Sequence, residues 1–215
     1  MSRRGVFITF EGGEGVGKST QIKTADAWLA ERGHDVVVTR EPGGTARAER
    51  IRELVVSADG GPLSPLAELL LMFAARISHI EELILPALAD GKVVLCDRFV
   101  DASYAYQGAG RGLPEARIAE LESWLPAAAR PDLTILLDAP VETGLARARG
   151  RGRPDRFEME QKAFFERVRA AYLERAHRFP ERFAIVDATA SPKRVGAAVC
   201  AILESRLAGA AKQAE

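Results

Sequence analysis

Short apolar runs alternate with longer stretches of helical period along this chain. The runs are VFITF, DVVVT, KVVLCD, LTILLD and FAIVD. The helical stretches that follow them cover residues 18–32, 44–57, 100–123, 140–149 with 158–178, and 192–208. Strands that are buried on both faces are apolar throughout, whereas helices repeat their apolar positions every three to four residues. The pattern therefore predicts an α/β fold, a five-stranded parallel sheet covered by helices on both faces.

Length and composition narrow the class of protein further. A chain of 215 residues that is 47% hydrophobic suits a single domain over residues 1–215. Lys plus Arg equals Asp plus Glu at 30 each, so no overall electrostatic field favours the binding of nucleic acid or of an anionic membrane.

Cys96 and Cys200 stand far apart outside any metal-binding motif, which indicates reduced thiols in the cytoplasm. The longest apolar region, 66–88, carries several charged residues and so does not predict a membrane-spanning helix.

The segment between the first apolar run and the first helical stretch matches the P-loop pattern. Gly12 is followed after four residues by Gly17, Lys18 and Ser19. In this pattern backbone N–H groups face the phosphates, the lysine bridges the β- and γ-phosphates, and the serine ligates Mg²⁺. The segment predicts an ATP site that consists of Gly12, Gly13, Glu14, Gly15, Val16, Gly17, Lys18, Ser19 and Thr20.

A Mg²⁺ ion in such a site also needs a carboxylate, which P-loop proteins take from the end of a neighbouring strand. Asp97 ends the run VVLCD, and Asp138 ends LTILLD in the same way. We favour Asp97, acting through a water molecule, because Arg98 follows it and would place a phosphate-binding cation beside the carboxylate. Asp138 precedes Pro140 and is better explained as a helix-capping residue.

The remaining motifs indicate what receives the phosphate. The chain contains no asparagine and so lacks the Asn-Lys-x-Asp motif of regulatory GTPases. A nucleic-acid motor would be longer and would carry a basic or aromatic track. A small phosphotransferase instead needs a second anion site, and Arg40 and Arg98 each follow a predicted strand at the same edge of the sheet. The alternative for Arg40 is a surface residue paired with Glu41.

An arginine-rich segment, ARARGRGRPDRFE, interrupts the second half of the chain. Arginines alternate there with small residues, and Pro154 prevents a continuous helix. We expect a mobile lid at about residues 147–157, which would exclude water from a phosphotransfer site. The alternatives are a solvated run of charge or an RNA-binding arm.

The motifs together resemble the thymidylate kinase family. The resemblance rests on FEGGEGVGKST, TREPGGT, LMFAARISH, DRF followed by SYAYQGAGRG, PDLTILLD and RARGRGRPDRFE, in this order from about residue 6 to 187. It implies a P-loop nucleoside monophosphate kinase fold, phosphorylation of dTMP to dTDP by ATP and Mg²⁺, and a homodimer. The spacing alone equally permits a kinase for another monophosphate, such as UMP or CMP, and less readily a nucleic-acid-binding ATPase.

The resemblance also implies individual roles at the acceptor site. Arg40 and Arg98 would hold the dTMP phosphate, Arg76 would hydrogen-bond thymine, and Tyr106 would lie where a 2′-hydroxyl would clash. Glu11 would orient the metal and the acceptor phosphate. The whole dTMP site implied in this way is Glu11, Arg40, Pro42, Met72, Phe73, Arg76, Arg98, Ser103, Tyr106 and Gln107, with Ser103 and Gln107 in the base pocket.

Two positions differ from the family pattern. Some members carry a catalytic arginine within the P-loop, but residues 13–16 contain none here. The catalytic set predicted for this chain is therefore Lys18 and Arg98 with Arg151 and Arg153 of the lid. The phenylalanine that usually stacks on thymine stands four residues before the arginine, where this chain has Met72, with Phe73 next. Either side chain, or neither, would then stack on the base.

The reaction needs no general base, because a phosphate monoester has a second pKa of about 6 and is already an anionic nucleophile near neutral pH. The three histidines, His34, His79 and His177, therefore need no catalytic role. We expect each of them to be a surface or helix residue.

Overall fold

Five parallel strands form one sheet in the computed structural model, which describes residues 4–57, 61–148, 156–157 and 160–212. The strands are β1 Val6–Glu11, β2 Val36–Arg40, β3 Val93–Asp97, β4 Leu133–Asp138 and β5 Phe183–Asp187. Their order across the sheet is β2-β3-β1-β4-β5, and every pairing is parallel. This arrangement confirms the predicted sheet. Arg151 and Arg153, with most of the predicted lid, lie outside the described residues.

Helices connect the strands and cover both faces of the sheet. They are α1 Lys18–Ala30, α2 Ala46–Val56, α3 Pro65–His79, α4 Leu85–Ala89, α5 Val100–Ser103, α6 Glu115–Ser123, α7 Val141–Ala148, α8 Lys162–Arg178 and α9 Pro192–Lys212. Two π-helical segments, Ile80–Ile84 and Tyr104–Gly110, follow α3 and α5, and a short 3-10 turn spans Ala127–Ala129. No helix in the described part of the chain has both the length and the apolar character needed to cross a bilayer.

The region 100–123, predicted as one helix, is divided in the structure. The π-helical segment follows α5 directly, and the Arg111 N–H donates to the Tyr106 carbonyl over five residues. Gly112 then adopts a left-handed φ of 77°, and the Leu113 N–H donates back to the Gln107 carbonyl. The Gly112 N–H also donates to the Gly108 carbonyl at 2.7 Å, which is the bond of the glycine αL motif that ends a helix. The prediction of a continuous helix was wrong here because helical periodicity on both sides of the turn hid the termination.

Apolar side chains of β1 enter the core on both faces of the sheet. Phe7 packs on one face, edge-on to Phe99 at 5.0 Å between ring centroids, and Ile8 and Phe10 pack on the other. All three β1 side chains are at most 1% exposed. Burial of a side chain of this size contributes about 2 kcal/mol, so the central strand is held firmly between two helical layers.

Strand register brings the candidate site residues to one edge of the sheet. Asp97 lies opposite Arg40 on one side and Phe10 on the other. The ladder continues one residue further, since the Glu41 N–H donates to the Asp97 carbonyl and the Arg98 N–H to the Phe10 carbonyl. The carboxyl ends of β1, β2 and β3 therefore lie level, beside the P-loop.

Candidate active site

A cavity of about 290 Å³ lies at the carboxyl ends of the central strands. Its wall comes from the P-loop, the ends of β2 and β3, the helices α2 and α3, and the π-helical segment after α5. The lining residues are Glu14, Gly15, Gly17, Lys18, Ser19, Arg40, Glu41, Pro42, Arg52, Val56, Met72, Asp97, Arg98, Ala102, Tyr106, Gln107 and Phe157. The structure thus places parts of the predicted ATP and dTMP sites around one space.

The P-loop passes from β1 to α1 through glycines in left-handed conformations. Gly17 precedes the first turn of α1 with a φ of 100°, a conformation that side-chain-bearing residues rarely adopt. The Lys18 Nζ donates to the carbonyls of Gly12 at 3.3 Å and Gly13 at 2.9 Å. Burial lowers the pKa of Lys18, and the neighbouring Arg98 charge lowers it further. The lysine is thus held over the loop, where an anion would relieve both effects.

Asp97 and Ser19 are the two residues predicted to hold Mg²⁺. Both line the cavity, and the Asp97 Oδ1 is buried without a hydrogen-bond donor among the described residues. A buried carboxylate oxygen of this kind normally has a partner, so it suits a hydrated Mg²⁺ ion. Asp138 differs, because its two oxygens accept from Arg169 at 2.7 and 2.8 Å.

Arg98 is held in place by several groups at the centre of the site. Its φ of 69° is left-handed, which is unusual for a residue with a side chain and recurs at functional sites. The guanidinium donates to the Gly12 carbonyl at 2.9 Å and to the Glu14 carboxylate at 2.6 Å. It also lies 4.7 Å from the centre of the Tyr106 ring, whose hydroxyl donates to the same carboxylate. These contacts fix Arg98 against the P-loop.

Arg40 reaches the cavity from the neighbouring strand but remains 55% exposed at its side chain. Its partner is Glu49 of α2, at 3.1 Å, rather than the adjacent Glu41. Glu49 also accepts from the Gly44 N–H at 2.9 Å and so anchors the loop after β2. The predicted alternative, a pair with Glu41, does not occur. Arg40 is therefore an exposed cation at the rim of the cavity.

Beneath this loop, Glu41 forms a buried polar network. Its carboxylate accepts from the Arg76 Nε at 2.7 Å and contacts the His79 Nδ1 at 3.0 Å. Arg76 also donates to the Ser103 Oγ and the Phe99 carbonyl, both at 3.1 Å. Arg76 and Ser103 thus support the cavity wall from behind and are not among the lining residues. His79 lies in α3 as expected but is fully buried rather than at the surface.

Met72 and Phe73, the two candidates for contact with the base, occupy different places. Met72 lines the cavity, whereas Phe73 packs in the core under the Arg76 guanidinium, at 4.7 Å. One helical step separates the two side chains by about 100°, so only one of them faces the site.

Glu11 is fully buried behind the P-loop and does not line the cavity. Its carboxylate accepts from the Phe99 N–H and from the Tyr172 hydroxyl, each at 2.7 Å. Burial, reinforced by the charge of Asp101, raises the pKa of Glu11 to about 7. Its contacts hold the backbone after Arg98 in position. Other predicted site residues outside the lining are Gly12, Gly13, Val16, Thr20, Phe73, Arg76 and Ser103.

Besides Glu41, which the sequence suggested only as a partner of Arg40, four lining residues belong to none of the predicted sites: Arg52, Val56, Ala102 and Phe157. Arg52 donates to the Pro42 carbonyl at 3.0 Å, and Phe157 packs edge-on to Tyr106 at 5.8 Å. Phe157 lies within the RPDRFE motif, which is the one local signal that pointed to this region. The other three depend on how α2 and α5 are rotated about their axes, which the sequence alone does not specify.

A P-loop at the first strand, a five-stranded parallel sheet and cations facing it from adjacent strand ends define a P-loop nucleoside monophosphate kinase fold. The sequence model of one family, described as Thymidylate kinase, matches residues 10–199. The chain therefore belongs to the thymidylate kinase family, which confirms the predicted family and enzyme class, a phosphotransferase.

Individual relatives agree with this assignment over nearly the whole chain. A thymidylate kinase of Pseudomonas putida strain GB-1 is 56% identical over 93% of this chain and 95% of its own length. One of Alkalilimnicola ehrlichii is 59% identical over 86% of each chain. A crystal structure of thymidylate kinase from Ehrlichia chaffeensis superposes with a TM-score of 0.77 at 33% identity, over 93% of this chain and 99% of that one.

Proposed function

We propose that this chain transfers the γ-phosphoryl group of ATP to dTMP, giving ADP and dTDP for dTTP synthesis. The observation that carries the proposal is the convergence of Arg40 and Arg98 on the cavity that also holds Lys18. Two arginines opposite a P-loop lysine provide separate binding sites for an acceptor phosphate and a donor phosphate. Membership of the thymidylate kinase family supports dTMP as the acceptor.

The reaction depends on alignment and on neutralisation of charge. The acceptor phosphate is already anionic near neutral pH and attacks without a general base. Lys18 and the backbone of residues 12–20 hold the donor, whereas Arg40 and Arg98 hold the acceptor in line with it. Because the Arg98 guanidinium contacts the P-loop carbonyl of Gly12, it would also place a positive charge between the donor phosphate and the acceptor phosphate.

Mg²⁺ would be held by Ser19 and, through water, by Asp97. When bound, the ion neutralises charge on the transferring phosphoryl group. The Asp97 Oδ1, which finds no donor in the described part of the chain, supports this assignment over Asp138, whose carboxylate is already paired with Arg169.

The base of the acceptor would be recognised at the opposite end of the cavity. Met72 is the better candidate for contact with the thymine ring, because it lines the cavity and Phe73 does not. Gln107 lines the cavity beside it, whereas Tyr106 lies against Arg98 and Glu14, nearer the P-loop, where it would face the sugar. Arg76 and Ser103 act next to the base or support the wall that faces it.

The arginine-rich segment would act as the lid at about residues 147–157, and Arg151 or Arg153 would supply the charge that the P-loop lacks. Two contacts support this proposal at the end of the segment. The Arg156 Nε donates to the Val55 carbonyl at 3.0 Å, and Phe157 lines the cavity. The segment therefore reaches the site at its described end, where an arginine finger can raise the rate by about 10³-fold or more.

The assembly of the whole chain is also part of the proposal. We place residues 1–215 in one domain that pairs as a homodimer in the cytoplasm, without nucleic acid or membrane as a partner. The balance of charge and the two separate cysteines support this setting.

The experiment that tests the proposal is ADP release by the purified protein with ATP and Mg²⁺, comparing dTMP, dUMP, UMP, CMP and no acceptor. We expect strong dependence on dTMP and near-complete loss of turnover in Lys18→Ala. Preference for UMP or CMP would assign a different monophosphate kinase. Hydrolysis that ignores every acceptor and rises with RNA or DNA would overturn the proposal in favour of a nucleic-acid-dependent ATPase.

A further inference from the structure

A buried carboxylate that the reaction does not use lies directly behind the base end of the cavity. Glu68 is on α3, one turn before Met72, and is fully buried. Its Oε1 accepts from the Gln107 Nε2 at 2.7 Å, and its Oε2 accepts from the Arg156 Nη2 at 2.5 Å. The Arg111 Nε lies 3.3 Å from the same Oε2. Two guanidinium groups thus neutralise the carboxylate, and one amide faces it.

The contact with Glu68 decides which way the Gln107 amide points. An ionised carboxylate only accepts hydrogen bonds, so the group that faces it must be the amide nitrogen. The Gln107 Oε1 is then directed away from Glu68, and it is buried without a donor among the described residues. Because Gln107 lines the cavity and is itself fully buried, this oxygen is an unused acceptor at the base end.

We propose that Glu68 is a positioning residue that fixes Gln107 as a hydrogen-bond acceptor and thereby sets which pyrimidine the site admits. This inference rests on the proposed acceptor, dTMP, and concerns how its base is chosen. Thymine and uracil carry a hydrogen on N3, which an acceptor oxygen binds. Cytosine has an acceptor at N3, so the same oxygen would face it without a hydrogen bond. A ligand that would leave a buried polar group of the site unpaired is rejected strongly.

The test compares four proteins: the wild type, Glu68→Gln, Gln107→Ala and the double variant. For each, kcat/KM is measured with dTMP and with dCMP at saturating ATP; where dCMP turnover is too slow, its inhibition constant against dTMP is used. Glutamine at position 68 presents either end of its amide, so Gln107 is no longer fixed. We expect the preference for dTMP over dCMP to fall about tenfold or more in each single variant. In the double variant it should fall no further, because both changes act through one group.

Several outcomes would overturn the inference. One is a Glu68→Gln variant that loses activity equally with dTMP and dCMP, which would indicate a purely structural role. Another is a double variant in which the preference for dTMP over dCMP falls by the product of the two single-variant losses. The matched control is Glu120→Gln, an exposed carboxylate on α6, which should keep the wild-type preference. A wild type that fails to phosphorylate dTMP would refute the proposed function, whereas an active wild type with an unchanged Glu68→Gln preference would refute this inference alone.

A second measurement is made on the wild-type protein, in case Glu68→Gln does not fold. The protein is labelled with ¹³C and ¹⁵N glutamine and studied by NMR. Gln107→Ala serves only to assign the Gln107 signals, which are those missing from its spectrum. We expect its amide protons to be protected from exchange before any ligand is added, and dTMP to shift its carbonyl carbon. Amide protons that exchange freely, or that become protected only when dTMP is added, would contradict the assigned orientation.

Discussion

At the residue scale, Arg40 and Arg98 reach the same cavity from neighbouring strands in different surroundings. The Arg98 side chain is 14% exposed and is tied to the P-loop, whereas that of Arg40 is 55% exposed and contacts one carboxylate. Loss of Arg98 would also remove its hydrogen bonds to Glu14 and to the Gly12 carbonyl of the P-loop, so binding and structure would change together. Substitution of Arg40 separates the two effects.

We expect Arg40→Ala to raise the KM for dTMP about tenfold or more and to change kcat much less, because a charged hydrogen bond to the acceptor is lost. Steady-state kinetics at saturating ATP measure both constants. The matched control is Arg47→Ala, an arginine of α2 that is 70% exposed and pairs with Glu82. A KM for dTMP near that of the wild type would place the acceptor phosphate elsewhere.

For Arg151→Ala we expect the opposite result, a large change in kcat and a smaller change in the KM for dTMP. An arginine that acts on the transferring group lowers the barrier, so its loss should reduce kcat by more than it raises the KM for dTMP. Arg153→Ala, measured in parallel, identifies which of the two acts. If both variants turn over at the wild-type rate, neither arginine is the catalytic one.

Glu11 gives a prediction about pH. Burial raises its pKa from the usual 4.5 to about 7. Between these values the folded protein holds a proton that the unfolded chain has released. The contribution of Glu11 to the free energy of unfolding is therefore full below pH 4.5 and is lost as the pH rises through 7.

Glu11→Gln removes this titration. Between about pH 5 and pH 8, its free energy of unfolding should rise relative to that of the wild type by up to about 3 kcal/mol. Urea unfolding of both proteins across this range measures the difference, and Glu120→Gln should follow the wild type. Parallel curves for Glu11→Gln and the wild type would show that Glu11 titrates normally.

At the scale of elements, the P-loop and α7 touch through their backbones. A Cβ at Gly15 would lie 1.9 Å from the Gly144 carbonyl oxygen, and one at Gly144 would lie 2.2 Å from the Glu14 carbonyl oxygen. Gly15 also has a φ of 68°. This pair of glycines lets the helix after β4 support the loop after β1, and a side chain on either would push the two elements apart.

Gly15→Ala should therefore lower the free energy of unfolding by about 2 kcal/mol or more, since it adds left-handed strain to a backbone clash. Gly13→Ala is the matched control within the same loop. Among the described residues, a Cβ at Gly13 meets nothing closer than a Val16 methyl at 4.0 Å, and we expect a change below about 1 kcal/mol. Urea unfolding without nucleotide measures both variants. Equal losses would mean that the contact with α7 is not what constrains the loop.

At the scale of the whole molecule, α3 carries an apolar stripe on its outer side. Leu66, Leu70 and Ile77 are 42%, 49% and 38% exposed and recur at helical spacing, while the opposite side of the helix packs in the core. Exposed apolar stripes of this kind mark interaction surfaces. A second copy of the chain is the occupant proposed above.

If α3 forms the homodimer interface, Leu70→Glu should produce a monomer, because each subunit would then bury an unpaired charge. Sedimentation at micromolar concentration measures the state of assembly. Trp124→Glu is the control, since Trp124 is 66% exposed but lies outside the stripe. A wild type that sediments as a monomer would refute the dimer, and a dimeric Leu70→Glu would move the interface away from α3.

The sequence by itself determined the five strands, the P-loop and the positions of Arg40 and Arg98 at one edge of the sheet. Each of these depends on a local pattern, and parallel strands bring their carboxyl ends together whatever the side chains. A glycine-rich turn between an apolar run and a helix likewise carries its own geometry.

Only the tertiary structure decided the rest. It selected Met72 rather than Phe73 to line the cavity, buried His79 with Glu41, and ended the helix after α5 at Gly112. It also joined Glu68 to Gln107 across 39 residues of sequence. The physical reason is the same in each case. The rotation of a helix about its axis and the partner of a buried polar group are fixed by packing against distant segments, which no local pattern encodes.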